Sequence, residues 1–288
     1  MMVMEDSMLA YHAKDLLKEH YLDSAEFHAW TDHYQQGLYF DPQNLRGCAV
    51  GCWTKNPFGG HEHLAQEMGV PEDLLRLADE IFEALPDGQF QGWPRRFAAA
   101  IPVGADLGGV RSRFLQWLLF DPQWGLVALA KMSELGPVLR DMRTFFDWES
   151  AGIEISRYLE TALEEVVAEL IENFKVWHHW DDFAKPETRA SRALVKVWEA
   201  RKPGPRHLAE AAWACRAAWV ARQDFSEAMA DAFLDMLRKS SVLVETERAF
   251  LLKAAFGRPT KLPAKRTGPA RRKTDLLGIR GTKAGQNI

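Results

Sequence analysis

Residues 155–177 read Ile155-Ser-Arg-Tyr-Leu159-Glu-Thr-Ala-Leu163-Glu-Glu-Val166-Val-Ala-Glu-Leu170-Ile-Glu-Asn-Phe174-Lys-Val-Trp177. The numbered apolar positions advance by 4, 4, 3, 4, 4 and 3. Only the α-helical period of 3.6 residues puts all of them on one stripe. Glu160, Glu164, Glu165, Glu169 and Glu172 occupy the other faces. The stretch is therefore an amphipathic helix that buries one side, and it sets the expectation for the rest of the chain.

The same period recurs. Leu74, Ala78, Ile81 and Leu85 step by 4, 3 and 4, with Pro71 at the helix start and Glu72-Asp73 in its first turn. Proline costs nothing there, and acids suit the positive end of the helix dipole. Leu208, Ala212, Cys215 and Trp219 form a stripe in an alanine-rich helix that Pro205 opens. Residues 225–238 and 242–256 give two more helices, and 8–34 is helical in character with many polar and His positions. Asp87-Gly88, Asp121-Pro122 and Gly136-Pro137 mark breaks, and residues 100–109 read as a loop. No convincing strand run exists. The expected fold is all-α, a compact body of roughly eight to ten helices. Soft divisions suggest an N-terminal lobe over 1–150, a C-terminal lobe over 151–256 and a tail over 257–288.

Charge sets that tail apart. Residues 257–288 hold nine Lys/Arg against the single acid Asp275, a net +8. The other 256 residues carry 27 basic and 39 acidic groups, a net −12. The tail has three prolines and few large apolar side chains, so burial cannot offset its ordering entropy, and disorder is expected. Lys265, Arg266, Arg271, Arg272 and Lys273 are its candidate nucleic-acid contacts, through phosphate neutralisation. A solvated tail is the plainer reading.

Three cysteines in 288 residues exclude a disulfide scaffold and suit a reducing compartment. Residues 1–10 carry Glu5 and Asp6 where a signal peptide needs positive charge, and Asp121-Pro122 breaks the longest apolar run. The expectation is a cytoplasmic protein with no membrane segment.

One stretch carries candidate chemistry. Arg46-Gly-Cys-Ala-Val-Gly-Cys-Trp53 is followed by Pro57-Phe-Gly-Gly-His-Glu-His63. Cysteines four apart on a helix have Cβ atoms about 5–6 Å apart, too far for an unstrained disulfide. That spacing suits two thiolates on one zinc, with Cys48, Cys52, His61 and His63 as candidate ligands. Reactive-thiol chemistry is a second reading. The third is packing: Gly47, Ala49, Gly51 and two small thiols make a narrow face where helices approach closely.

The motif Gly47-Cys48-Ala49-Val50-Gly51-Cys52 resembles a family of bacterial and phage-encoded hypothetical proteins with Gly-Cys-x-[Val/Ile]-Gly-Cys. In that family a His, an E-L-G-x-P stretch and a helix follow. The counterparts here are His61, then Glu67-Met68-Gly69-Val70-Pro71, then residues 74–85. Residues 101–107 and the Ala/Trp-rich helix at 209–221 also resemble the family, so the similarity covers residues 45–110 and 205–240. The chain departs from it with Trp-Thr-Lys after Cys52 and a glycine pair before His61. The resemblance implies a shared helical fold, points to Cys48, Cys52, His61 and Asp106, and supplies no reaction.

A second cluster, Trp177-His178-His179-Trp180-Asp181-Asp182, could orient a base or bind a metal, or reflect the helix dipole alone. His12, His20, His28 and His33 fit no ligand template. Residues 61–65 are not His-Glu-x-x-His, because position 65 is alanine. No phosphate-binding Gly-rich loop, nucleophile elbow or Cys-x-x-Cys pair is present. Three function classes stay open. One is a helical accessory or interaction protein with an unidentified protein partner. The second is a metal-dependent or thiol-based protein or enzyme centred on Cys48, Cys52 and His61. The third is a nucleic-acid-associated protein that uses its tail.

Overall fold

The structure, a computed structural model, describes residues 9–129, 135–151, 153–155, 157–176, 185–219, 222 and 224–241. Among them are twelve α-helices. The N-terminal five are α1 (Asp15–Trp30), α2 (Ala49–Thr54), α3 (His61–Met68), α4 (Glu72–Ala84) and α5 (Trp93–Ala100). Then come α6 (Val110–Phe120), α7 (Leu126–Leu129), α8 (Gly136–Ser150) and α9 (Arg157–Val176). Last are α10 (Pro186–Glu199), α11 (His207–Ala218) and α12 (Phe225–Arg238). Two-residue strands β1 (Phe40–Asp41) and β2 (Arg46–Gly47) pair antiparallel. The all-α architecture is the one the periodicity predicts. The helices are more numerous because α2, α3 and α7 span eight residues or fewer, too short to display a period.

Local chemistry sets the boundaries. Gly69 closes α3 in the left-handed region at φ 65°, and Pro71 opens α4 two residues on. Asp121 Oδ1 accepts from the N–H groups of Gln123 and Trp124, which with Pro122 stops α6. Pro137 and Pro186 sit in the first turns of α8 and α10. The stripe that opened the sequence reading packs inward: Leu163 is buried, and Ile155, Leu159, Val166 and Leu170 are half-buried against the core.

One continuous apolar core runs from Ala10 to Leu237, across the 150/151 boundary. Helix α4 packs against α2, α3, α5, α11 and α12, and α11 also lies along α10. Phe233 of α12 stacks on Phe97 of α5 at 6.0 Å and meets Phe114 of α6 edge-on at 5.7 Å. Burying each such ring is worth about 1.5–3 kcal/mol. Trp93 Nε1 donates to the Ala78 carbonyl at 2.8 Å, which pins α5 to α4 and satisfies that indole N–H. The described residues, from 9 to 241, belong to one compact unit. The expected helix at 242–256, the tail at 257–288 and the Trp177–Asp182 cluster lie outside the described residues. No described helix is long and apolar enough to cross a membrane.

Candidate functional site

The Gly-Cys stretch is built for close approach, though not by a helix. Gly47 and Gly51 lie against the backbone of Tyr39, just before β1, and a Cβ at either position would run into the Tyr39 carbonyl. Cys48 N–H reaches the carbonyls of Leu38 and Tyr39, which seats the start of α2 on that segment. The Cys48 thiol caps α2 by accepting from Gly51 N–H at 3.4 Å. Cys52 Sγ donates to the carbonyls of Gly47 at 3.5 Å and His33 at 3.7 Å. Both side chains are buried, and all three cysteines are unpaired.

Burial governs their chemistry. It pushes the Cys48 thiol far above its ordinary range, and the nearby Asp79 carboxylate adds to the shift. Burial likewise pushes Cys52 up to about 12. At neutral pH both stay as thiols, whereas nucleophiles and metal ligands need the thiolate.

The four candidate ligands do not converge. Cys52 faces backbone carbonyls. His63 is exposed and meets Glu67 at 3.6 Å on its own helix. His61 and Cys48 both come to Asp79, His61 through Nε2 at 3.2 Å from Asp79 Oδ2. Among the described residues no group of three or more His, Cys, Asp or Glu side chains is placed to hold a metal ion. Asp106 is a turn residue whose Oδ1 accepts from Gly108 N–H at 2.9 Å. His12 contacts the Gln66 carbonyl at 2.8 Å, and His28 and His33 pair with each other at 3.1 Å.

What the fold does bring together is a trough. Its first hollow, about 290 Å³, lies between α4 and α11, with Arg76, Asp79, Glu80 and Glu83 on one wall and Arg206, Glu210 and Trp213 on the other. His61 lines one end. Arg216 reaches across to Glu80 at 3.4 Å. Burial still dominates at Glu80 and raises its carboxyl to about 7, against the pull of Arg216. Burial also raises Glu83, whose Oε2 accepts from Gly37 N–H at 2.6 Å. Arg76 is held by Glu72 at 2.6 Å, so the acids outweigh the bases in this hollow.

The second hollow, about 440 Å³, lies between α10 and α11. Val195, Ala214 and Ala217 supply apolar surface and Arg189 and Arg192 supply positive charge, while Lys196 pairs with Glu199 at 2.9 Å and Glu210 at 3.5 Å. The hollows share Glu210 and Trp213, which stand one helical turn apart on the ridge of α11. Trp213 is 50% exposed. The chain matches no protein-family model, no curated protein and no solved structure.

The sequence does not single out Asp79, Glu80 or Arg206. Its Ala-Ala-Trp steps at 211–213 and 217–219 read as close helix packing with tryptophan filling gaps, whereas the structure leaves Trp213 half-exposed. One signal existed for Trp213: it falls off the Leu208/Ala212/Cys215 stripe, so its indole had to face outward. The candidate nucleic-acid contacts Lys265, Arg266, Arg271, Arg272 and Lys273 lie outside the described residues.

Proposed function

We propose that this is a helical interaction protein that takes an extended peptide segment of a partner into the trough over α11. The observation that carries the reading is Trp213, a half-exposed indole on the ridge where two hollows meet. Tryptophan and arginine are the residues that dominate interface energetics, and each hollow has the scale of a binding site. Charge reverses along the trough, acidic on the α4 side and basic on the α10 side. The complementary ligand carries a basic side chain, an apolar residue to lie on Trp213, and an acidic group beyond it. Three buried, unpaired cysteines support the expected cytoplasmic setting. Thiol chemistry has less support, because burial holds the Cys48 and Cys52 thiols protonated.

Selection from a random twelve-residue peptide library displayed on phage tests the reading. Enriched sequences should share the basic–apolar–acidic order and fail to bind a Trp213→Ala protein. Selection that yields no Trp213-dependent peptide would count against it.

A second reading rests on the charge split alone. Nine basic groups in residues 257–288 favour nucleic-acid association through the tail. Fluorescence anisotropy with a labelled twenty-base-pair duplex should then show binding that weakens steeply with salt and is lost when 257–288 are removed. Binding retained without the tail would rule it out.

A further inference from the structure

Helix α1 turns a second apolar face outward. Leu16, Phe27 and Trp30 are 79%, 55% and 85% exposed. Together with exposed His20 and Asp23 they step along the helix as 16, 20, 23, 27 and 30. Those alternating steps of 4 and 3 are the spacing of a seam between two packed helices. The opposite side of α1 is already used: Tyr21, Ala25 and His28 are buried, where α1 packs on α2 and α5. The outward stripe is thus not a core face, and Phe27 and Trp30, three residues apart, set two exposed aromatic groups side by side on it.

We propose that this stripe is the contact face of a homodimer in which two copies of α1 pair antiparallel about a two-fold axis. The pairing follows from the sequence of the stripe. Antiparallel alignment centred between residues 21 and 22 sets Leu16 against Phe27 of the second copy and His20 against Asp23 of the second copy. Each relation occurs twice by symmetry, as an isologous interface requires. A parallel pair would instead set Asp23 against Asp23, which is repulsive. Other charges meet the same seam. Glu19 and Glu26 flank it on one side and approach each other across the axis, while Arg95 holds Glu26 at 3.4 Å. Lys18 is turned away, donating to the carbonyls of Ala99 and Ile101. The acids Asp15, Glu19, Asp23 and Glu26 make this face a poor match for an anionic lipid surface. A single 16-residue helix pair is small for an interface, so the dimer is weak, with Kd on the order of micromolar.

Sedimentation velocity of the full chain across 1–200 µM (roughly the span that brackets such a Kd) tests the proposal. The expected result is a shift from the 32.8 kDa monomer to a species of twice that mass. Leu16→Glu and Trp30→Glu should each leave monomer only. Both side chains are exposed, so circular dichroism should show the fold unchanged. Asp23→Lys should weaken the dimer about tenfold, and adding His20→Asp should restore it to within about threefold, because the charges are then exchanged. A wild-type protein that stays monomeric, a dimer indifferent to Leu16→Glu and Trp30→Glu, or a charge exchange that does not restore it would each overturn the proposal. Flotation of a monomeric wild-type protein with phosphatidylcholine vesicles, lost in Trp30→Glu, would overturn it too and give the face to lipid.

Discussion

His61 Nε2 lies 3.2 Å from Asp79 Oδ2, and both side chains are largely withdrawn from water. The contact ties the first residue of α3 to the middle of α4, and both residues line the trough. Tyr39 leans on the His61 ring at 5.7 Å from the segment that also seats the Gly-Cys motif. One carboxylate therefore links the motif, the histidine and the trough.

Removing that link should be felt as stability. Asp79→Ala leaves His61 without its polar partner and should cost about 1–3 kcal/mol in urea unfolding. His61→Ala should cost a similar amount. The double variant should fall short of the sum by about 1 kcal/mol, since the two residues share one interaction. Strict additivity would show that the contact contributes nothing.

The glycines of the motif make a sharper structural claim. Gly51→Ala drives a methyl group into the Tyr39 carbonyl and should destabilise by about 2–4 kcal/mol. Gly92→Ala is the control. Its new methyl meets nothing within 4 Å, at φ −84°, which alanine adopts without strain. There it should be neutral or stabilise by about 0.5 kcal/mol, through the lower entropy of the unfolded chain. Equal thermal shifts for the two variants would refute the close approach.

Thiol accessibility separates packing from chemistry. Burial raises Cys48, Cys52 and Cys215 alike. An aromatic disulfide reagent at pH 8 should therefore find no fast-reacting thiol in the native protein. In guanidinium it should find the three that the sequence contains. A rapid native reaction at Cys48 or Cys52, mapped by mass spectrometry, would restore the thiol-based reading.

Two buried groups pull stability in opposite directions with pH. Glu80 is raised from 4.5 to about 7, so the folded chain holds a proton that the unfolded chain has released. Its effect is a loss of stability as pH rises from 4.5 to 7. Asp73 and Glu83 are raised as well and act in the same direction. His28 is lowered from 6.5 to about 4, by burial first and then by His33 and Lys55. The unfolded chain binds that proton first, so stability is lost as pH falls from 6.5 to 4. The Glu80 and His28 effects each amount to about 2–3 kcal/mol and oppose each other between pH 4.5 and 6.5, while Asp73 and Glu83 add to the Glu80 side. Substitution exposes them. Relative to the wild type, Glu80→Gln should gain stability as pH rises from 4.5 to 6.5, and His28→Gln should lose it. Parallel pH profiles for the two variants would contradict both assignments.

Much of the fold was legible because helical burial is periodic. The α4 stripe with Pro71, the bounds of Phe225–Arg238 and the Asp121-Pro122 break all follow from local chemistry. The short elements were not legible. β1 and β2 have two residues each, and Tyr11 and His12 adopt positive φ in a turn that no residue preference announces. The trough was illegible for another reason. Its walls, α4 and α11, lie more than 120 residues apart in sequence. Asp79 and Glu80 read as ordinary solvated acids on the polar face of an amphipathic helix. The arrival of α11 buries Glu80 and lifts it, and α3 brings His61 onto Asp79. The packing reading of the Gly-Cys motif was available from its small residues, but the partner, the Tyr39 backbone, was not.

The central claim is recognition at Trp213, and isothermal titration with a library-selected peptide tests it most directly. Trp213 is half-exposed on α11, so Trp213→Ala should change the stability of the protein by less than about 1 kcal/mol. Its affinity for the peptide should fall at least about tenfold, the loss of an interface anchor. Undiminished affinity in a folded Trp213→Ala protein would contradict the account.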